Sequence, residues 1–278
     1  MSGVSFRGLA AAWVIATASS AWAQVTPLAE MSCTSANFPD CNGWGPVSVN
    51  PYFSRRFVSG GGPQGQNAVE LSQNPADHHA QYYLGWWGPV LPSPPQGTTR
   101  YLRMRFKTVG SVNLQGVSDV WTDKFVILAD GDNPTGRVIC HLRDDGVTSN
   151  NLGIFCSRNI DGYPNATPGV SLPSDTWVSL QMEFKSSTTT SSGDGSLKIW
   201  KNSNAYASPT VQSGQFQLDA INWGRISVGF YANATLGSSG RLVFQLADVE
   251  FDDEFDPIYH QTGGTPTPPR APNNLRRR

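Results

Sequence analysis

Residues 101–107 read Tyr101-Leu102-Arg103-Met104-Arg105-Phe106-Lys107, a strict alternation of polar and apolar side chains. Successive side chains of a β-strand point to opposite faces. The stretch therefore predicts a strand with Leu102, Met104 and Phe106 on a core face and Tyr101, Arg103, Arg105 and Lys107 on the other. Three cations and an aromatic ring on one face suit a groove for an extended polar chain better than an indifferent solvated surface.

The same period recurs on either side. Residues 68–72 put Val69 and Leu71 inward, residues 81–87 are rich in aromatics, and residues 124–128 are nearly continuous apolar. Residues 137–143 and 153–158 read as two strands joined by a turn-rich segment. Val178, Leu180, Met182 and Phe184 share one face, and residues 197–200, 226–231 and 242–251 continue the series. Gly, Pro, Asn and Ser clusters separate these runs, and no helical period is sustained beyond the N-terminal leader. The pattern predicts an all-β protein, an antiparallel two-sheet β-sandwich or barrel.

The ends read differently. Arg7, the apolar run of residues 9–18 and Ala21-Trp22-Ala23 form the three parts of a secretory signal peptide, residues 1–23. Residues 24–262 are assigned to one β domain, and residues 263–278, rich in proline and ending Arg276-Arg277-Arg278, to an extended tail. A secreted location, extracellular or periplasmic, follows, with no membrane insertion expected. The formal net charge is −1, and losing Arg7 makes it −1 − 1 = −2. No overall basic field points to nucleic acid.

Four cysteines suit an oxidising compartment. Cys33 and Cys41 enclose a short loop, and Cys140 and Cys156 fall in the two strands around the 144–151 turn. Sequential pairing is the nearest of three connectivities. Zinc is disfavoured, because there is no CxxC and His141 points away from Cys140.

The order of motifs is distinctive. Asn67-Ala68-Val69-Glu70-Leu71 precedes the cationic strand; Asp175-Thr176-Trp177-Val178-Ser179-Leu180, Asp194-Gly195-Ser196-Leu197-Lys198-Ile199-Trp200 and Leu246-Ala247-Asp248-Val249-Glu250-Phe251 follow it. In this order the chain resembles the concanavalin A-like lectin/glucanase superfamily, in the branch of jelly-roll polysaccharide lyases and laminin-G-like modules. There a W-x-x-L strand leads through a turn into a D-G-x-L-x-x-W strand. The resemblance covers most of residues 44–256. It implies a jelly roll of two packed antiparallel sheets, one curved, with a glycan lying across the concave face.

Strand alternation nominates the residues for such a face: Tyr101, Arg103, Lys107, Arg143, Trp177, Glu183, Lys198 and Trp200 for binding. Aromatic faces stack on the apolar side of a pyranose, while Arg and Gln bind its hydroxyl or carboxylate oxygens. Hydrolysis of the glucanase kind needs paired carboxylates in a Glu-x-Asp-x-Glu strand, and that pattern is absent. Elimination needs a group to offset a uronate carboxylate, a base for the C5 proton and an acid for the leaving oxygen. His141, Tyr231, Arg105 and Gln181 supply that inventory. The lyase triplet Gln-Ile-His or Gln-Val-His is not matched; the nearest is Ile139-Cys140-His141. Gly229-Phe230-Tyr231-Ala232-Asn233 likewise lacks the lysine and glutamine of the Tyr-containing lyase strand.

The sequence-based expectation is a polysaccharide-binding protein for an acidic glycan. A lyase acting by β-elimination and an adhesion module that binds protein are the alternatives. No cofactor is required. Asp130-Gly131-Asp132-Asn133 resembles part of a calcium loop, but a plain turn reads better without the full spacing or a bidentate glutamate, and calcium there would be structural. His78-His79 reads as a loop after Asn74-Pro75. The sequons at Asn165 and Asn233 matter only in a eukaryotic secretory pathway.

Overall fold

The computed structural model describes residues 27–46, 53–73, 82–110, 123–128, 138–144, 152–158, 167–203, 205–219, 223–232, 242–257 and 259. The signal peptide, the C-terminal tail, His78-His79, the Asp130–Asn133 segment and both sequon asparagines lie outside them.

Among the described residues the chain forms strands and no helix. In chain order they are β1 (Ala29–Met31), β2 (Gly45–Pro46), β3 (Phe53–Val58), β4 (Ala68–Gln73) and β5 (Tyr82–Trp87). Then come β6 (Thr99–Thr108), β7 (Asp123–Leu128), β8 (Val138–Asp144), β9 (Leu152–Arg158) and β10 (Val170–Leu172). The last five are β11 (Val178–Lys185), β12 (Ser196–Lys201), β13 (Val211–Gln212), β14 (Ile226–Ala232) and β15 (Leu242–Asp252). They pair into two antiparallel sheets. An eight-stranded sheet runs β13-β12-β11-β6-β15-β4-β3, with β1 added beside β15, and a seven-stranded sheet runs β10-β9-β8-β7-β14-β5-β2.

The alternation that predicted β6 explains its packing. Leu102, Met104 and Phe106 are buried in one hydrophobic cluster with Val178, Leu180 and Met182 of β11 and with Cys140, Ile154 and Val228 of the opposite sheet. Phe125 of β7 reaches across to Phe106 and Phe244, at ring-centroid distances of 5.4 and 5.3 Å. Burying each such ring contributes roughly 1.5–3 kcal/mol. Trp86 and Trp223 belong to the same core and fill the sandwich.

Both disulfides follow the sequential pairing, Cys33–Cys41 and Cys140–Cys156. Cys140 and Cys156 are register partners on β8 and β9. Their sulfurs lie inside the sandwich, 3.7 and 3.9 Å from Met182 Sδ. The bridge thus ties the two strands together on the core side of their sheet.

Candidate functional site

The polar faces of β6, β11 and β12 line up as alternation predicts, but they do not form an open groove. In β6, Arg103 is 0% exposed, Tyr101 6% and Arg105 8%; Gln181 and Glu183 of β11 are equally buried. The cover is the chain after β15, residues 253–257 and Tyr259. Arg103 Nη1 donates to the Glu254 carbonyl at 3.0 Å, and Arg105 Nη2 donates to the Tyr259 carbonyl at 2.6 Å. Gln181 pairs with the Asp256 peptide in both directions, Nε2 donating to its carbonyl at 2.9 Å and Oε1 accepting from its N–H at 3.3 Å. The expected exposed surface of Tyr101, Arg103, Arg105, Gln181, Glu183 and Trp200 is therefore corrected to an internal layer.

Its charges are matched within the chain. Arg103 Nε donates to Glu250 at 2.9 Å and Nη2 to Asp252 at 2.6 Å. Burial works against the Arg103 charge, but Glu250 and Asp252 outweigh it and hold the guanidinium in its charged form. Glu250 pays for this position in desolvation: burial, against the Arg103 charge and helped by Glu30 and Asp248, pushes its carboxyl up to about 7. Arg105 hydrogen-bonds Ser179 Oγ and lies over the Tyr259 ring, 4.8 Å from its centroid. Glu183 accepts from Tyr101 at 2.9 Å and Tyr206 at 3.0 Å, and pairs with Lys198 at 2.8 Å. Burial first, then the Glu183 charge, raises the Tyr101 phenol far above its ordinary range. Such a phenol serves as a hydrogen-bond donor and not as a base. At the end of the same face Lys107 lies over the Trp177 ring, 5.1 Å from its centroid.

His141 and Tyr231 belong to the other sheet. The expected catalytic set is thus divided, with Arg105 and Gln181 on the eight-stranded sheet and His141 and Tyr231 on the seven-stranded one. Across the latter, register partners make one continuous row. Tyr83 of β5 pairs Tyr231 of β14, Tyr231 pairs Lys124 of β7, Lys124 pairs His141 of β8, and His141 pairs Phe155 of β9. Cys140 and Leu142 face the core, so His141 projects from the opposite face, where its ring stacks on Phe155 at 5.0 Å and 15°.

Two irregularities build this row. The register shifts between Lys124 and Val126 against β8, so Phe125 enters the core while Lys124 stays in line with His141. A second shift lies between Val228 and Tyr231. It sits beside the Gly85–Gly229 pair, where a Cβ on Gly85 would meet the Val228 carbonyl oxygen at 2.3 Å. Only glycine allows the backbones to approach this closely.

Lys124 did not emerge from sequence reasoning. It heads an apolar strand, and its one signal was a lone cation before Phe125-Val126-Ile127-Leu128. Arg143 is on β8 two positions beyond His141; for Arg143, Tyr83 and Tyr231 the backbone position is described. Among the described residues, no group of three or more His, Cys, Asp or Glu side chains is arranged to hold a metal.

No family model and no curated protein sequence matches the chain. Solved structures do match it. An endo-β-1,4-glucuronan lyase from the fungus Trichoderma reesei superimposes with a TM-score of 0.56 at 13% identity, covering 84% of this chain and 99% of that one. An alginate lyase from Chlorella virus gives 0.49 at 11% identity over 82% of this chain and 100% of its own. The receptor-binding domain of botulinum neurotoxin type G gives 0.48 at 10% identity over 85% and 50%. At these identities the likeness speaks to fold alone: the protein is a two-sheet antiparallel β-sandwich of the jelly-roll kind.

Proposed function

We propose that this protein is a secreted polysaccharide lyase that cleaves a uronate-bearing polymer by β-elimination across the outer face of its seven-stranded sheet. The observation that carries the reading is the Tyr231–Lys124–His141 row on three adjacent strands. Elimination needs three kinds of group within one sugar's reach. Lys124 offsets the uronate carboxylate and so eases loss of the C5 proton. His141 takes that proton. The electron pair left on C5 forms the C4–C5 double bond, the C4–O bond breaks, and Tyr231 protonates the departing oxygen. The shared fold with the glucuronan lyase supports this reading, since that enzyme's polymer is a polyuronate. The two disulfides suit an exported protein.

A second reading, recognition of the same acidic glycan without cleavage, is favoured by the burial of His141, which is 0% exposed beside Phe155. One assay separates them. The lyase reading expects an absorbance rise at about 235 nm, from the unsaturated uronate product, with polyglucuronate, alginate or pectate, and a loss of about 10²-fold or more in His141→Ala. Retardation in gels containing those polymers with no product would leave the binding module. Failure to bind any acidic polymer or any glycan on a broad array would remove both and leave a protein-binding adhesion module.

A further inference from the structure

The segment that closes the eight-stranded sheet is held in an unusual way. Its contacts to Arg103, Arg105 and Gln181 are made through its own backbone, at the Glu254, Tyr259 and Asp256 peptides. The face therefore reads three carbonyl acceptors and one N–H donor of the backbone at these positions. Two side chains of the segment are inserted: Tyr259, whose ring lies under Arg105 and whose hydroxyl donates to the Asp248 carbonyl at 2.7 Å, and Phe255. The Phe255 ring sits 6.0 Å from Tyr101, 5.0 Å from Trp200 and 5.1 Å from Tyr206. Trp200 and Tyr206 are themselves stacked at 5.7 Å and 18°, and Glu183 and Lys198 tie the edge of this box together. The segment is also acidic, with three carboxylates, Asp253, Glu254 and Asp256.

A flat ring with an apolar face, spaced oxygen acceptors and recurrent carboxylates are likewise the features of a polyuronate. Guanidinium groups bind both carbonyl and carboxylate oxygens, and an aromatic box takes either a phenyl or a pyranose ring. We propose that residues 253–257 and Tyr259 are an intramolecular stand-in for an acidic polysaccharide, and that their displacement opens a second glycan groove formed by Arg105, Gln181, Trp200 and Tyr206. Tyr206, 49% exposed at the rim, marks where an incoming chain first meets the box. This rests on the acidic-glycan part of the function proposed above and is independent of the elimination chemistry, which lies on the other sheet.

The test uses the full secreted protein and an oligoglucuronate of defined length. Phe255→Ala empties the box while leaving the backbone contacts in place. Where a closed form competes with binding, apparent affinity scales with the open fraction, so Phe255→Ala should tighten oligoglucuronate binding about tenfold. The gain should survive added His141→Ala, which touches only the opposite sheet, and should vanish with added Arg105→Ala. In the wild-type protein, saturating oligoglucuronate should speed amide hydrogen exchange across residues 254–257. Unchanged affinity in Phe255→Ala, a gain that disappears with His141→Ala, or unaltered wild-type exchange would each overturn the proposal. So would a Phe255→Ala protein that binds a peptide of residues 252–259 but not the oligosaccharide. An absence of elimination product leaves these binding measurements intact, so the two proposals fail separately.

Discussion

The two outer faces of the sandwich differ in how they treat positive charge. On the eight-stranded sheet, Arg103 is sealed between Glu250 and Asp252 and roofed by the chain's own continuation. On the seven-stranded sheet, Lys124 stands in a row with a tyrosine and a histidine position. The first arrangement commits its cation to the fold, because a buried charge must be paired. The second brings together groups that can move a proton. A run of cations in a sequence therefore identifies a face without saying whether its partner is a ligand or the protein itself.

The comparison can be broken by exchanging the two kinds of effect. Arg103→Ala leaves Glu250 and Asp252 without their buried counter-charge, and should cost about 3–5 kcal/mol in denaturant unfolding. Lys124→Ala should do the reverse, abolishing most 235 nm product while changing stability by about 1 kcal/mol or less. If Lys124→Ala proves the more destabilising of the two, the contrast between the faces collapses.

Removing the Cys140–Cys156 bridge should cost about 2–4 kcal/mol, measured on the Cys140→Ala/Cys156→Ala protein. Because the bridge joins the strands at the position next to the His141–Phe155 pair, product formation should fall further than stability alone explains.

Glu250 sharpens the contrast through pH. Burial pushes its carboxyl up to about 7 in the fold, above the ordinary 4.5 of a glutamate, and its side chain is 18% exposed. The folded state thus holds a proton that the unfolded chain has released. The resulting stability is fully present below the unfolded value and declines as pH rises towards and through about 7. Burial raises Glu30, Asp248 and Asp252 in the same direction. Thermal melts should therefore lose an amount on the order of 2 kcal/mol over this window, and Glu250→Gln should flatten the slope. The smallest effect belongs to the rim. Arg56, 67% exposed, pairs with Glu70 at 2.8 Å, and Arg56→Ala should change stability by about 0–1 kcal/mol.

Much of the fold was legible because burial on one side of a strand imposes a period of two. The stretches at 68–72, 101–107, 177–184 and 242–251 all form strands whose apolar sets enter the core. The strands that escaped notice lack that signature. β3 carries Phe53-Ser54-Arg55-Arg56-Phe57-Val58 at a sheet edge, and β1, β2, β10 and β13 span only two or three residues. The candidate site residues were legible by type and not by sheet. His141 and Tyr231 were named, but they were grouped with Arg105 and Gln181, which alternation cannot distinguish from residues of another sheet.

The strands and their inward side chains were carried by local order, since the alternation depends on neighbours one or two residues away; the cysteine pairs, 8 and 16 residues apart, were legible only as the nearest of three connectivities. Which strands lie side by side, and what covers each face, depend on contacts between distant residues. Arg103 meets Glu254 across 151 positions, and Lys124 meets His141 only because a bulge at Phe125 realigns two strands. Tertiary structure alone decided that the most cationic strand would turn its charge inward and that a lone lysine would fall in register with Tyr231 and His141.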